Sequence, residues 1–151
     1  MENKKKLYSR ALKLLSRKGY SEAELREKIG DEAEQEDVEE VIERCKKHHY
    51  LDDKLLADYL VDRYLKKGKG FWYIISTLEK RKIKEEVIED VKNNFNFETE
   101  YKKAEEFVQR NRKKKGISSL IFSLKSKGFS YPVINRIARK YFREGEWSEE
   151  F

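Results

Sequence analysis

The sequence predicts an all-α protein of about nine helices, arranged as three tandem three-helix repeats. Three observations predict it. One Pro and seven Gly leave few breakers among 151 residues, while abundant Lys, Glu, Leu and Arg supply strong helix propensity. Charged residues reach 42% against 38% hydrophobic, yet the apolar positions recur at helical spacing, which marks a folded chain with a thin core. That pattern then restarts twice along the chain, as in arrays whose repeats bury each other's apolar faces. The expected shape is elongated, curved and solenoid-like.

The first unit spans residues 1–50. Leu7, Ala11, Leu14 and Leu15 lie on one face of a helix from about Lys5 to Lys18, which Gly19 stops. Ser21 opens the next helix, with Glu24 three residues on to close a capping box; Leu25 and Ile29 are its buried face and Gly30 ends it. An acidic connector, Asp31 to Asp37, leads to a third helix with Val38, Val41, Ile42 and Cys45 turned inward, ending near His48.

The second unit spans residues 51–97. Asp52 or Asp53 caps a helix carrying Leu56, Tyr59, Leu60 and Tyr64. After Gly68 and Gly70 come a helix with Phe71, Ile74, Ile75 and Leu78, and a short one with Val87, Ile88, Val91 and Phe95. The third unit, residues 98–145, begins at Thr99 as a possible cap and repeats the triplet through Ala104, Phe107 and Val108, then Leu120, Ile121 and Leu124, then Val133, Ile134 and Ile137. Residues 146–151 are a tail. A shift of 46 lays Gly70 on Gly116, Leu78 on Leu124 and Ile83 on Phe129, and a shift of 47 lays Ala57 on Ala104 and Arg63 on Arg110.

Composition narrows the function. A lone Cys45 forms no internal disulfide, and the charged stretch Met1 to Lys6 leads into no apolar segment, so no signal peptide and a reducing cytoplasm are expected. No run approaches the roughly 18 apolar residues of a membrane span. The net charge of +6 is uneven: residues 101–151 hold 13 basic and 6 acidic side chains, whereas the two preceding stretches are near balance. A field that attracts phosphate therefore comes mainly from the last third.

Cys45 with His48 or His49 can share a helix face, but a structural zinc site needs four ligands and the chain has no further Cys or His. A buried thiol beside two exposed imidazoles is expected, with no metal and no cofactor. The carboxylates sit in pairs such as Glu39-Glu40 and Glu85-Glu86, alternating with Lys as on solvated helix faces. No nucleophile, base and orienting group can be assembled, so an enzyme is not expected. Gly68-Lys69-Gly70 follows a helix instead of a strand and reads as a helix stop and tight link.

The densest cationic run is Arg110, Arg112, Lys113, Lys114 and Lys115, and Lys125, Lys127, Arg136, Arg139, Lys140 and Arg143 follow in the same unit. These are candidate phosphate contacts; the plainer reading, solvated helix ends, stays open. Lys66, Lys67 and Lys69 flank Trp72 and Tyr73. Since Phe71, Ile74, Ile75 and Leu78 already fill the buried stripe, one of the two rings is expected outward as an interface anchor, or both cover a gap between units.

Tyr50-Leu51-Asp52-Asp53, then Ala57, Tyr59 and Arg63, then Gly68, Gly70, Ile74 and Leu78 resemble the central signature of the RecX family. Ala11-Leu12 through Ile29 is similar to that family's first unit and Lys127-Gly128-Phe129 to its closing one, so nearly the whole chain is covered. The chain departs where the family often has Phe (Leu56), Pro (Phe71), an acid (Thr77) and Lys-Gly (Arg81-Lys82), and the second unit's central turn is expected to differ accordingly.

The resemblance implies a regulator that lies in the groove of the RecA-DNA filament, spans adjacent protomers and inhibits strand exchange, ATP hydrolysis and filament extension; a monomer is expected, since that function needs no symmetry and the sequence shows no heptad seam. The candidate filament or DNA contacts are then the cations just named together with Trp72. A stand-alone helical DNA-binding protein is the alternative, since three-helix units imitate helix-turn-helix modules; direct contact with single- or double-stranded DNA stays open. An unrelated helical adaptor is the third reading.

Overall fold

The first helix, α1 (Glu2–Arg17), starts a turn earlier than the apolar pattern alone suggests and ends just before Gly19. The computed structural model describes residues 2–31 and 33–142. Along them follow α2 (Glu22–Gly30), α3 (Gln35–Lys47), α4 (Asp53–Lys66), α5 (Phe71–Lys80), α6 (Glu85–Asn93), α7 (Phe97–Asn111), α8 (Ile117–Ser126) and α9 (Tyr131–Tyr141). Nine helices and no strand occur among the described residues, and no described helix is long and apolar enough to cross a membrane. Arg143 and the tail 146–151 lie outside the described residues.

Contacts divide the chain into two compact units. One gathers the described residues of Met1–Tyr59 and Leu78–Val91, the other those of Leu60–Thr77 and Lys92–Phe151. In the first, α1, α2 and α3 pack on one another around Leu7, Ala11, Leu25, Ile29, Val41, Ile42 and Cys45. In the second, α7, α8 and α9 enclose Ala104, Val108, Ile121, Leu124, Phe129 and Ile137. The apolar residues spaced three and four apart thus turn one stripe of each helix inward, and burying those stripes is the main favourable contribution to the fold.

Helix boundaries follow local chemistry. Ser21 Oγ accepts the Glu24 N–H at 3.1 Å and Glu24 Oε1 accepts the Ser21 N–H at 2.9 Å, the expected reciprocal box. Asp52 caps α4, its Oδ1 accepting the N–H groups of Lys54 and Leu55 at 2.9 and 3.2 Å. Asn96, not Thr99, caps α7: Asn96 Oδ1 accepts the Thr99 N–H at 3.0 Å, because the helix begins at Phe97, upstream of the apolar pattern.

Four helix ends turn through left-handed residues, His49, Gly68, Lys82 and Gly128, at φ of 62°, 82°, 57° and 84°. After α5 the Ile83 N–H donates to Leu78 O, and after α8 the Phe129 N–H donates to Leu124 O, the same closure at the shift of 46. Lys82 therefore holds a backbone conformation that glycine takes freely.

Asp53 is nearly buried, and its two oxygens accept the Glu22 N–H at 2.8 Å and the Lys84 N–H at 2.9 Å. One carboxylate thereby satisfies orphan donors at the starts of both α2 and α6, where the helix dipoles favour negative charge. Arg81, half-buried, adds two bonds to Glu24 and one to Gly19 O in this unit. Tyr59, expected on the inward face of α4, is exposed; Ala57, Leu60 and Leu65 are the buried apolar positions of that helix.

Candidate functional site

The last third of the chain carries the basic excess, and the second compact unit sorts its cations by partner. Three candidates are engaged by carboxylates: Lys66 with Asp62 at 3.0 Å, Arg136 with Glu98 at 2.6 Å and Lys140 with Glu105 at 2.6 Å. Arg136 also lies 3.7 Å from the centre of the Tyr101 ring. Arg136, Arg139 and Lys140 line an open cleft with Tyr101, Pro132 and Asn135, and Arg136 and Lys140 there already face an acid.

A different set converges. Lys115 and Lys127 Nζ stand 5.7 and 5.1 Å from the centre of one ring, Phe107. Arg110 follows Phe107 by three residues on α7 and so shares its side of the helix. Lys69 is tied to the same place through the backbone, because the adjacent Gly70 N–H donates to Lys127 O at 2.9 Å. Its Nζ lies 4.8 Å over the Tyr73 ring. Burial and the repulsion of Lys69, Lys115 and Arg110 hold the Lys127 ammonium below the ordinary lysine value. Among the described residues no carboxylate pairs with any of these four.

Two glycines make the approach possible. A Cβ at Gly70 would stand 2.4 Å from Phe129 Cα, and one at Gly128 would stand 2.4 Å from the Tyr73 nitrogen. With neither Cβ present, the Lys69–Trp72 segment lies directly on the Lys127–Phe129 turn, and Trp72 N–H donates to Gly128 O at 2.8 Å. Beneath them Glu100 is fully buried. Its Oε2 accepts the Phe71 N–H at 2.7 Å and the Ser130 N–H at 2.9 Å, and its Oε1 accepts the Ser130 hydroxyl at 2.6 Å.

Trp72 is 59% exposed and Tyr73 37%, so both rings of the pair meet solvent. The indole is braced edge-on against Phe71 at 4.9 Å, and Phe71 in turn packs on Phe95 at 4.9 Å and Phe97 at 5.5 Å. Of the remaining candidates, Lys67 lies 5.6 Å from the Tyr64 ring centre and Arg112 5.2 Å from that of Tyr141. Lys113, Lys114, Lys125 and Arg139 are exposed. The sequence placed Phe107 only among the apolar positions of its helix, and it did not single out Glu100 or the positioning role of Gly128. The shift of 47 that lays Glu100 on Asp53 was the available signal for one of them.

The signature residues divide into two roles. Leu51, Ala57, Ile74 and Leu78 are buried, Asp52 and Asp53 bond helix starts, and Gly68 and Gly70 shape the link between α4 and α5. Tyr50, Tyr59 and Arg63 are exposed, with Tyr50 stacked on His48 at 5.7 Å. Cys45 is buried, which raises its thiol, and both histidines are exposed.

The family model described as RecX, first three-helix domain, matches residues 8–45. The regulatory protein RecX of Thermus thermophilus is 30% identical over 136 residues, covering 90% of this chain and 92% of that protein. The chain belongs to the RecX family. The regulatory protein RecX of Clostridioides difficile is 29% identical over 150 residues, covering 94% of this chain and 71% of that one. The fold is also that of a RecX crystal structure from Lactobacillus salivarius, with a TM-score of 0.80 and 24% identity over 92% of this chain and 96% of that one. Within a RecX protein, then, the buried signature residues build the helix junctions, and the convergent cations take no carboxylate among the described residues.

Proposed function

We propose that this chain modulates the RecA recombinase, mainly as an inhibitor, by lying in the groove of the RecA-DNA filament and hindering strand exchange, ATP hydrolysis and filament extension. The observation that carries the reading is the similarity along nine-tenths of the chain to a regulatory protein RecX. It acts by occupying a surface and not by catalysis. Three tandem triplets, residues 1–50, 51–97 and 98–145, repeat a similar face, and a repeated face gains affinity for a repeated target because each engagement makes the next intramolecular. The filament is then favoured over free protomers. Trp72 and the cations Lys67, Lys69, Arg110, Arg112, Lys113, Lys114, Lys115, Lys125 and Lys127 are the side chains we assign to filament or DNA contact.

The test is RecA ATP hydrolysis on single-stranded DNA as the pure protein is titrated in, with strand exchange followed alongside. Inhibition at concentrations well below those that coat the DNA is expected. Unchanged hydrolysis and exchange at saturating protein would remove the reading.

A further inference from the structure

Lys127 sits where an ammonium ion is poorly accommodated. It ends α8 as a half-buried residue, pinned by the Gly70 N–H, which donates to its carbonyl oxygen at 2.9 Å. Its Nζ lies 5.1 Å from the centre of the Phe107 ring, where apolar carbon takes the place of water, and Lys115 Nζ stands 5.7 Å from the same centre. Lys69 faces it from the α4–α5 link, Arg110 from α7 and Lys115 from the α7–α8 link. Among the described residues no carboxylate pairs with any of the four. Lost hydration and like charge both favour the free amine over the ammonium. Burial first, and those three cations next, accordingly hold the Lys127 ammonium below the ordinary lysine value.

Docking of the two segments does not use the Lys127 side chain, because Glu100 and the bond from Gly70 hold them through backbone groups. A lysine amine stripped of its proton beside other cations is a nucleophile, and those same cations select its electrophile. Arg110 stays protonated at any working pH, and a fixed positive field concentrates small anions. A neutral electrophile gains nothing from that field, and a simple anion brings no carbon to attack. An acyl phosphate brings both an electrophilic carbonyl carbon and an anionic leaving group. Lys115 is exposed and Arg110 keeps its proton, so Lys127 is the better nucleophile of the set.

We propose that Lys127 is an acylation site for acyl phosphates, with Lys69, Arg110 and Lys115 drawing in the donor's phosphate. The ammonium first loses its proton to solvent. The amine then attacks the carbonyl carbon, a C–N bond forms, and the bond from that carbon to the bridging oxygen breaks, its electron pair leaving on inorganic phosphate. The surplus proton on nitrogen passes to that phosphate or to water, and nothing is oxidised or reduced. The product is a neutral amide, which removes one crowded charge. Loss of that charge would also weaken the filament surface assigned above. That consequence rests on RecA modulation; the acylation itself does not.

The experiment uses the full chain and acetyl phosphate. The amines left unreacted are capped with heavy acetyl groups after denaturation, and mass spectrometry of the peptides then gives the extent of reaction at each lysine with time. At low salt Lys127 is expected to react at least about tenfold faster than the exposed α1 residues Lys5, Lys6 and Lys13, the gain a cationic cluster gives a small anion. Added salt should shrink that lead. With the neutral ester p-nitrophenyl acetate the lead should be smaller, and the rise of rate with pH should come earlier at Lys127 than at the α1 lysines. Lys69→Gln with Lys115→Gln should slow the reaction of Lys127 with acetyl phosphate about tenfold and move its pH profile upward. Lys5→Gln with Lys6→Gln removes the same charge elsewhere and should change neither. Circular dichroism of each variant checks that helicity is kept.

Three results overturn the proposal: Lys127 reacts no faster than the α1 lysines, its lead over them is the same with the neutral ester as with acetyl phosphate, or the lead survives replacement of Lys69 and Lys115. RecA enters none of these measurements, so failure of the acylation and failure of RecA modulation are told apart.

Discussion

Asp53 and Glu100 make the same double cap at different places in the chain. Asp53 accepts the first N–H groups of α2 and α6, and Glu100 accepts those at the starts of α5 and α9. In each case a carboxylate on one helix, α4 or α7, holds the helix two places before it and the helix two places after it. Each set of three helices is joined by a buried carboxylate facing two helix dipoles, and not by apolar contact alone.

Removing that carboxylate should be costly. Glu100→Ala leaves the Phe71 and Ser130 N–H groups without their acceptor in a fully buried place, and each orphan costs about 1–3 kcal/mol. A loss of about 2–4 kcal/mol is expected from urea unfolding followed by circular dichroism. Asp53→Ala should cost less, since Asp53 retains 7% exposure and water can reach its donors. A Glu100→Ala protein that unfolds with the parent would show that the cap contributes nothing.

The two close glycines should tolerate no side chain. Gly70→Ala and Gly128→Ala each drive a Cβ to 2.4 Å from backbone atoms, and each should lose at least about 2 kcal/mol by overpacking. Gly68→Ala is the internal comparison. It keeps a φ of +82° but meets nothing within 4 Å, so only the left-handed penalty of about 1 kcal/mol remains. Thermal melts should place both close-packed variants below Gly68→Ala.

Lys82 offers the reverse case. Its φ of 57° is strained for a residue with a side chain, and its ion pair with Glu27 lies between two exposed groups, where such pairs are worth little. Lys82→Gly is expected to stabilise the protein by about 0.5–1 kcal/mol, measurable as a raised urea midpoint. A destabilised variant would mean that the lysine side chain contributes more than the backbone strain costs.

Acid should act through Glu105. Lys140 above all, then the Tyr141 and Tyr101 hydroxyls, hold its carboxyl down at about 2, against an ordinary 4.5. A carboxyl depressed by folding contributes stability that is complete above the unfolded value and is lost as pH falls through the folded one. The stability advantage of the parent over Glu105→Gln should therefore be constant well above pH 4.5 and shrink steadily towards pH 2. Urea midpoints of both proteins across that window check it, and a constant difference would remove Glu105 from the acid response.

Much of this was legible in the sequence, because it depends on near neighbours. The Ser21–Glu24 box, the inward stripes of Leu25 and Ile29 or Leu120 and Leu124, and the stops at Gly19 and Gly68 follow from groups within a turn or two of each other, where helix geometry dictates who meets whom. Thr99 failed as a cap and Tyr59 as a buried residue by less than a turn of helix, the scale on which local pattern loses its grip.

What the sequence by itself determined is the number and type of the helices, the inward residues and the basic balance of the last third. Only the tertiary structure decided which cations are spent and which converge. Arg136 finds Glu98 and Lys140 finds Glu105 from 38 and 35 residues away, while Lys69 reaches Lys127 because Gly70 and Gly128 let two backbones touch. Spacing along a helix fixes the faces of that helix, but a pairing between helices depends on how close their backbones can pack, and that is set by atoms far apart in the chain.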